Sequence, residues 1–277
     1  MTQFQIPKNL KNARILISND DGIFAEGIQT LTKIAKQFCD DVWVVAPATE
    51  QSGVSHSLTL HQPIRVKQHE DKVFSVTGTP TDCVLLANSE ILPHDKKIDL
   101  LLSGINHGDN MAEHVTYSGT IAATMEGALL GIPSIAFSRF IAEGSGTLDW
   151  QTCEIAVAQI LSKLLGMAWH QRSLISVNIP DCAPNELNGI RVVRQGNRNV
   201  ADSVEGRTDP RGRNYYWIGG TDYRGVTHTP ETDCAAVAEN YIAITPISLD
   251  LTNYNMLGQI DQYIDNSEQV LISANAT

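Results

Sequence analysis

Several signals that would place this 277-residue chain quickly are missing. No run approaches the roughly 18 apolar residues that a membrane-spanning helix needs. The opening MTQFQIPKNLKNAR also lacks the basic-then-apolar pattern of a secretory signal, so a cytoplasmic protein with no membrane partner is expected. Basic residues are scarce: Lys and Arg number 20 against 31 Asp and Glu, a formal net charge of -11 that disfavours binding to duplex nucleic acid. A small phosphorylated substrate stays compatible with that charge, because a bound metal can outweigh the global field locally. Cysteine is sparse and unpatterned. The 5 residues Cys39, Cys83, Cys153, Cys182 and Cys234 form no C-x-x-C pair and no metal-finger spacing, and they are expected to be reduced and mostly buried. There is no G-x-x-x-x-G-K-[ST] loop, no G-x-S-x-G elbow, and no G-x-G-x-x-G turn after the first strand. These absences argue against triphosphate hydrolysis of the P-loop type, α/β-hydrolase chemistry and dinucleotide binding.

What is present is an alternation of short apolar runs and amphipathic stretches in a chain that is 42% hydrophobic and shows no sign of disorder. RILIS (14–18) reads as a strand, Ile28, Leu31, Ala35 and Phe38 as one face of a helix, and VWVVA (42–46) as a second strand. Further along come a helix from about Pro80, a strand in IDLLLS (98–103), a helix from about Thr120 and a strand in SIAFS (134–138). This is the rhythm of an α/β fold with a mostly parallel, Rossmann-like sheet flanked by helices. IRVK (64–67) and KVFSV (72–76) suggest an antiparallel pair joined across QHED, a long helix fits 149–170, and SLISVNIP (173–180) reads as a buried strand. The expected organisation is a polar leader over 1–13 and a catalytic core over 14–181. Hairpins, a protruding arm and a tail occupy 182–277, and the boundary near 182 is soft.

The polar residues that could carry chemistry gather where parallel strands end. Ser18-Asn19-Asp20-Asp21-Gly22 follows the first strand, and its adjacent carboxylates repel each other unless a hard cation such as Mg²⁺ or Mn²⁺ lies between them. The same residues also make an ordinary turn. Ser52 and Gly53 sit in the long loop ATEQSGVSHSLTL, where a hydroxyl could complete a cation's shell and a glycine could admit an anion closely; a flexible surface loop is the alternative. Thr79-Pro80-Thr81-Asp82 reads as a capped helix start. The densest signal is SGINHGDN (103–110) followed by YSGT (117–120). Asn106 offers an amide oxygen to a cation, Asn110 an amide donor to a phosphoryl oxygen, and Ser118, Gly119 and Thr120 a phosphate cradle at a helix N-terminus. Capping alone would account for Ser118.

In combination these segments resemble the SurE family of stationary-phase survival proteins, which act as 5'/3'-nucleotidases. The likeness runs over 15–252 through NDDGIFAEGI, VVAPATEQSG, VTGTPTDCV, LLSGINHGDN, YSGTIAATMEGALLGIPSIAFS, VNIP and YIAITPISLDLT. The resemblance implies a homodimer or homotetramer with a swapped C-terminal hairpin or tail. It places one divalent cation per subunit, Mg²⁺ or Mn²⁺, on Asp20, Asp21, Ser52 and Asn106. Phosphate binding would fall on Asn110, Ser118, Gly119 and Thr120, with Gly53 close by, and Asp20, Asp21 and Asn110 would carry the catalytic roles. The sequence departs from the family pattern in SHSLT after Gly53 and NMAEHV from Asn110, where substrate preference and loop shape are set. The expected activity is hydrolysis of nucleoside 5'-monophosphates, and 3'-monophosphates as well, to nucleoside and phosphate. An exopolyphosphatase or broad phosphomonoesterase would use the same residues, and a nucleotide-binding protein without turnover is the non-enzymatic alternative. His56 and His107 are unranked as proton donors to the leaving alcohol.

Overall fold

β-branched and leucine-rich runs that are apolar at every position must be covered on both faces, and helices between parallel strands provide that cover. The computed structural model describes residues 3–142, 150–197, 204–218 and 229–274. In chain order the elements are β1 (Gln3–Gln5), β2 (Arg14–Ser18), α1 (Glu26–Phe38), β3 (Asp41–Pro47), β4 (Val66–Glu70), β5 (Val73–Val76), α2 (Pro80–Leu86), β6 (Leu100–His107), α3 (Gly119–Leu129), β7 (Ser134–Arg139), α4 (Gln151–Leu164), β8 (Ala168–His170), β9 (Ser173–Ile179), β10 (Gly189–Val192), β11 (Val204–Thr208), β12 (Asn214–Ile218), α5 (Asp233–Ala238), β13 (Tyr241–Ser248) and α6 (Tyr254–Ala274).

The main sheet has nine strands in the order β10-β13-β9-β7-β6-β2-β3-β5-β4. β2 pairs in parallel with β3 on one side and with β6 on the other. The chain steps outward from β2 through β3 to β5, then returns to lay β6 against the opposite side of β2. The topological switch therefore lies between β2 and β6, where an open α/β sheet forms a crevice at the carboxyl ends of its strands. Alternation within each strand divides the core. Ile15 and Ile17 pack with Leu31 of α1 and Ile160 of α4, whereas Leu16 points the other way towards Cys83 and Val84 of α2 and Ala123 of α3. Gly27 lets α1 lie close to β6, since a Cβ there would stand 1.9 Å from the Ile105 carbonyl oxygen. None of the five cysteines forms a disulfide, and all but Cys182 are buried.

Several expectations shift. The helix expected over 149–170 is found from Gln151 to Leu164, with residue 149 outside the described residues. Gly166 breaks it at φ +74, and Ala168–His170 pairs instead with Gln3–Gln5 as a small antiparallel sheet. The pairing register explains the miss: a strand of three residues is specified by its distant partner rather than by its own pattern. Within the polar leader, Ile6 and Leu10 are buried in the core. The β4–β5 hairpin turns at Asp71 and Lys72, not across QHED, with Lys72 at φ +59. Within NRNVADSVEGRTDPRGRNYYWIGG the described residues 204–218 form the expected hairpin, β11 against β12; apart from Asn197, the rest of that stretch lies outside the described residues. Position 182 falls inside one compact unit, Met1–Ile247, whose sheet continues into β10 and β13. A second unit, Ser248–Thr277, is built on α6, a helix the sequence reading did not anticipate.

At the amino end of the strands, away from the crevice, Asp41 accepts hydrogen bonds at 2.8 Å from Arg14 Nε, Lys72 Nζ and Trp43 Nε1. Burial opposes ionisation of Asp41, but the bonds from Lys72, Arg14 and Trp43 outweigh it and hold the carboxyl at about 2. Against an unfolded value near ~3.9, this contributes stability that is complete above about pH 4 and lost as the pH falls towards 2. Asp41→Asn is expected to lower stability by about 2 kcal/mol near neutral pH in urea unfolding, with the gap to the parent closing below about pH 4. A gap that persisted at full size in that acid range would contradict the assignment.

Candidate functional site

Asp20 stands two residues beyond Ser18, the last residue of β2, and is 4% exposed. Its carboxylate accepts a short hydrogen bond from the Thr120 hydroxyl, in the first turn of α3. Thr120 Oγ1 also lies 3.3 Å from Asn106 Oδ1 near the end of β6; the hydroxyl's one proton goes to Asp20, and the contact brings the oxygens of both switch-point strands together at the start of the helix. Packing here is close: a Cβ on Gly119 would stand 2.7 Å from Asp20 Cβ. Burial pushes the Asp20 carboxyl up, the Thr120 hydroxyl pulls it down and the neighbouring charge of Asp21 raises it again, to about 6. Burial also raises Asp21, opposed by the His107 backbone N–H that donates to it at 3.1 Å.

The loop carrying Ser52 and Gly53 is tied down at both ends of the site. Gln51 N–H donates to the Asp20 carbonyl at 2.8 Å, and Ser55 donates through N–H to Tyr117 O at 3.1 Å and through its hydroxyl to Thr116 O at 2.7 Å. The expected cap of α2 is present, with Thr79 and Asp82 forming a reciprocal capping box. That turn holds the loop as well, through Thr79 Oγ1 to Ser57 O at 2.7 Å and Thr59 N–H to Asp82 Oδ1 at 3.1 Å. Ser52 and Asp21 line one cleft of about 330 Å³ together with His107, Glu26, Glu50 and Trp150. Gly53 adopts φ +75 and, apart from its chain neighbours, nothing stands within 4 Å of where its Cβ would be. His56 Nε2 is engaged by Glu126 at 3.0 Å.

Asn110 is buried and clamped from two neighbouring strands. Its N–H donates to Asn178 Oδ1 at 2.9 Å, Asn178 Nδ2 returns a bond to its carbonyl at 3.2 Å, and its own amide donates to Ser138 Oγ at 2.8 Å. Ser118 caps α3, its hydroxyl accepting from Ile121 N–H at 3.1 Å. Asn178, Ser138, Glu26, Glu50 and Trp150 were not singled out in the sequence. Asn178 and Ser138 carry a legible signal, a polar residue at the carboxyl end of an otherwise apolar strand; the other three carry none.

The donor set suits a hard divalent cation: carboxylate, amide and hydroxyl oxygens, and no thiol. Among the described residues no group of three His, Cys, Asp or Glu is arranged to hold a metal, so a cation here would draw on Asn106 and Ser52 as well as on Asp20 and Asp21. The fit rests on Asp20 itself. It is a buried carboxylate, and among the described residues neither it nor Asp21 pairs with lysine or arginine. The buried side-chain oxygens Ser18 Oγ, Asn19 Oδ1 and Ser103 Oγ, at or beside the same switch-point strands, also lack partners. Thr120→Val removes the hydroxyl that orients Asp20 beside Asn106 while keeping the branched shape. It is expected to weaken Mn²⁺ binding by roughly 10–100-fold in calorimetry with the fold retained. Unchanged affinity would show that the hydroxyl does not position the ligands.

The family model described as survival protein SurE matches residues 15–202. The 5'-nucleotidase SurE of Rhodospirillum rubrum is 45% identical over 247 residues, covering 88% of this chain and 94% of that protein. The 5'-nucleotidase SurE of Parvibaculum lavamentivorans is 49% identical over 246 residues, covering 88% of each. The crystal structure of the SurE protein from Aquifex aeolicus matches with a TM-score of 0.79 and 40% identity over 91% of this chain and 99% of that one. An open α/β sheet with its polar residues gathered at the β2/β6 switch, matched along most of its length by these relatives, places the chain in the SurE family.

Proposed function

We propose that the chain is a phosphomonoesterase that hydrolyses nucleoside 5'-monophosphates, and 3'-monophosphates as well, with one divalent cation, Mg²⁺ or Mn²⁺, per subunit. The observation that carries this reading is the convergence of Asp20, Asn106 and Thr120 through one hydroxyl beneath the N-terminus of α3. The names of the relatives supply the nucleotide.

Asp20, Asp21, Asn106 and Ser52 hold the cation. When bound, it supplies a Lewis acid that draws charge from a phosphoryl oxygen and makes water more acidic. The chain's own groups do the rest. The first N–H groups of α3 have no partner within the helix: that of Thr120 is directed at the Asp20 carboxylate, and that of Gly119 is offered to the phosphate at the helix's positive end. Asn110 donates the amide hydrogen that Ser138 leaves unused, and its clamp by Asn178 fixes the direction of that donor in advance of the reaction. Ser118 offers a hydroxyl proton while its oxygen caps the helix. Gly53 keeps the approach over the loop clear.

Self-association as a homodimer or homotetramer is supported by exposed apolar side chains on β12 (Tyr216, Trp217, Ile218) and on α6 (Tyr254, Leu257, Tyr263). A cytoplasmic location is supported by cysteines that form no disulfide and are mostly buried. Among the described residues no helix is long and apolar enough to cross a membrane.

Asp20→Ala is expected to lower phosphate release from AMP by roughly 10³-fold or more while the melting temperature holds or rises, since a buried charge is removed. EDTA is expected to abolish release in the parent, and added Mg²⁺ or Mn²⁺ to restore it. Turnover that survives either treatment contradicts the proposal.

A further inference from the structure

The cleft beside Asp21 and Ser52 is more elaborate than cation binding requires. Of its lining side chains, Asp21, Glu26 and Glu50 are carboxylates, and no lysine or arginine is among them. Two of these acceptors are held in place. Trp150 Nε1 donates to Glu26 Oε2 at 3.0 Å, and the Arg139 guanidinium lies 5.6 Å from the centre of the Trp150 ring, itself anchored by Asp181 at 2.8 Å. Ser52 Oγ donates to Glu50 Oε1 at 2.9 Å. The cleft, about 330 Å³, falls at the small end of small-molecule sites, the scale of a nucleoside.

We propose that this cleft is the subsite for the leaving group, and that its carboxylate lining selects a nucleoside over a phosphate chain. The inference rests on the phosphomonoesterase reading and specifies the substrate class of that site. Ionised carboxylates only accept hydrogen bonds, and a nucleoside offers donors in its ribose hydroxyls and exocyclic amines while carrying no charge. A phosphate chain offers charge and no such donors. The cation offsets the charge of its own ligand Asp21 but leaves those of Glu26 and Glu50, so each added phosphoryl group that reaches them meets charge of its own sign, with no lysine or arginine in the lining to offset it. Glu26 and Glu50 act here as specificity-determining residues, not as catalytic ones.

The test compares kcat/KM for AMP and for tripolyphosphate, with Mg²⁺ present, in the parent and in E26Q, E50Q and the double variant. Glutamine keeps an acceptor for Trp150 and for Ser52. Each series runs from roughly 20 to 300 mM KCl, where screening changes most. The parent is expected to favour AMP, with the preference narrowing as salt rises. The double variant is expected to raise the tripolyphosphate-to-AMP ratio about tenfold and to lose most of the salt effect. Its KM for AMP should rise while kcat holds. An unchanged ratio in a variant that still turns over AMP overturns the cleft assignment alone. If the double variant does not fold, the parent decides: a preference that is flat with salt overturns the proposal. A parent that releases phosphate from neither substrate overturns the functional reading and this inference together.

Discussion

A carboxylate buried beneath the first turn of a helix is the constraint on which the rest of this molecule depends. Asp20 has given up its water at the end of β2, and the compensation available within the chain is the Thr120 hydroxyl with the backbone N–H groups of Asp20 and Thr120. Desolvation of an unpaired carboxylate is expensive, which is why the group is displaced towards the neutral form in the absence of a positive partner. A cation resolves that tension more fully than any neutral donor. The surrounding sequence follows from the same demand: Gly119 is the residue that leaves room for Asp20, and Thr120 is the residue that can reach both Asp20 and Asn106.

The fold delivers those groups to one place because of strand order. β2 and β6 are neighbours whose onward connections leave in opposite directions, so their carboxyl ends flank a crevice. The connection after β3 then crosses the mouth of that crevice. Hydrogen bonds to Asp20, to the residues before α3 and to the start of α2 fix its path and bring Ser52 to the cleft that Asp21 lines. Farther along the sheet, β7 and β9 contribute Ser138 and Asn178 to hold Asn110. Polar ends on apolar strands thus supply the chemistry, while the strand interiors supply the rigidity.

Much of this was legible in the sequence. β2, β3, β7 and β9 are short runs with uniform burial, and the Thr79–Asp82 capping box and the Ser118 cap are local grammar that needs no tertiary context. The candidate residues Asp20, Asn106 and Thr120 stood out as polar groups at strand and helix ends. What escaped was set by partners far away in the chain. β8 exists because Gly166 ends α4 and β1 is there to pair with it. Thr120 read as part of a phosphate cradle, and its bond to a carboxylate 100 positions earlier appears only when β2 and α3 are brought together. Glu26 and Glu50 were not singled out, and only the shape of the cleft brings them together.

The central claim is that a single divalent cation sits on Asp20, Asp21, Ser52 and Asn106 at the β2/β6 switch. It is tested most directly by the anomalous difference density of crystals grown with Mn²⁺. The account predicts one strong peak per subunit, bonded to the Asp20 and Asp21 carboxylates, the Asn106 amide oxygen and the Ser52 hydroxyl. A site without a peak at saturating Mn²⁺, or a peak elsewhere in the crevice that bypasses Asp20, would contradict it.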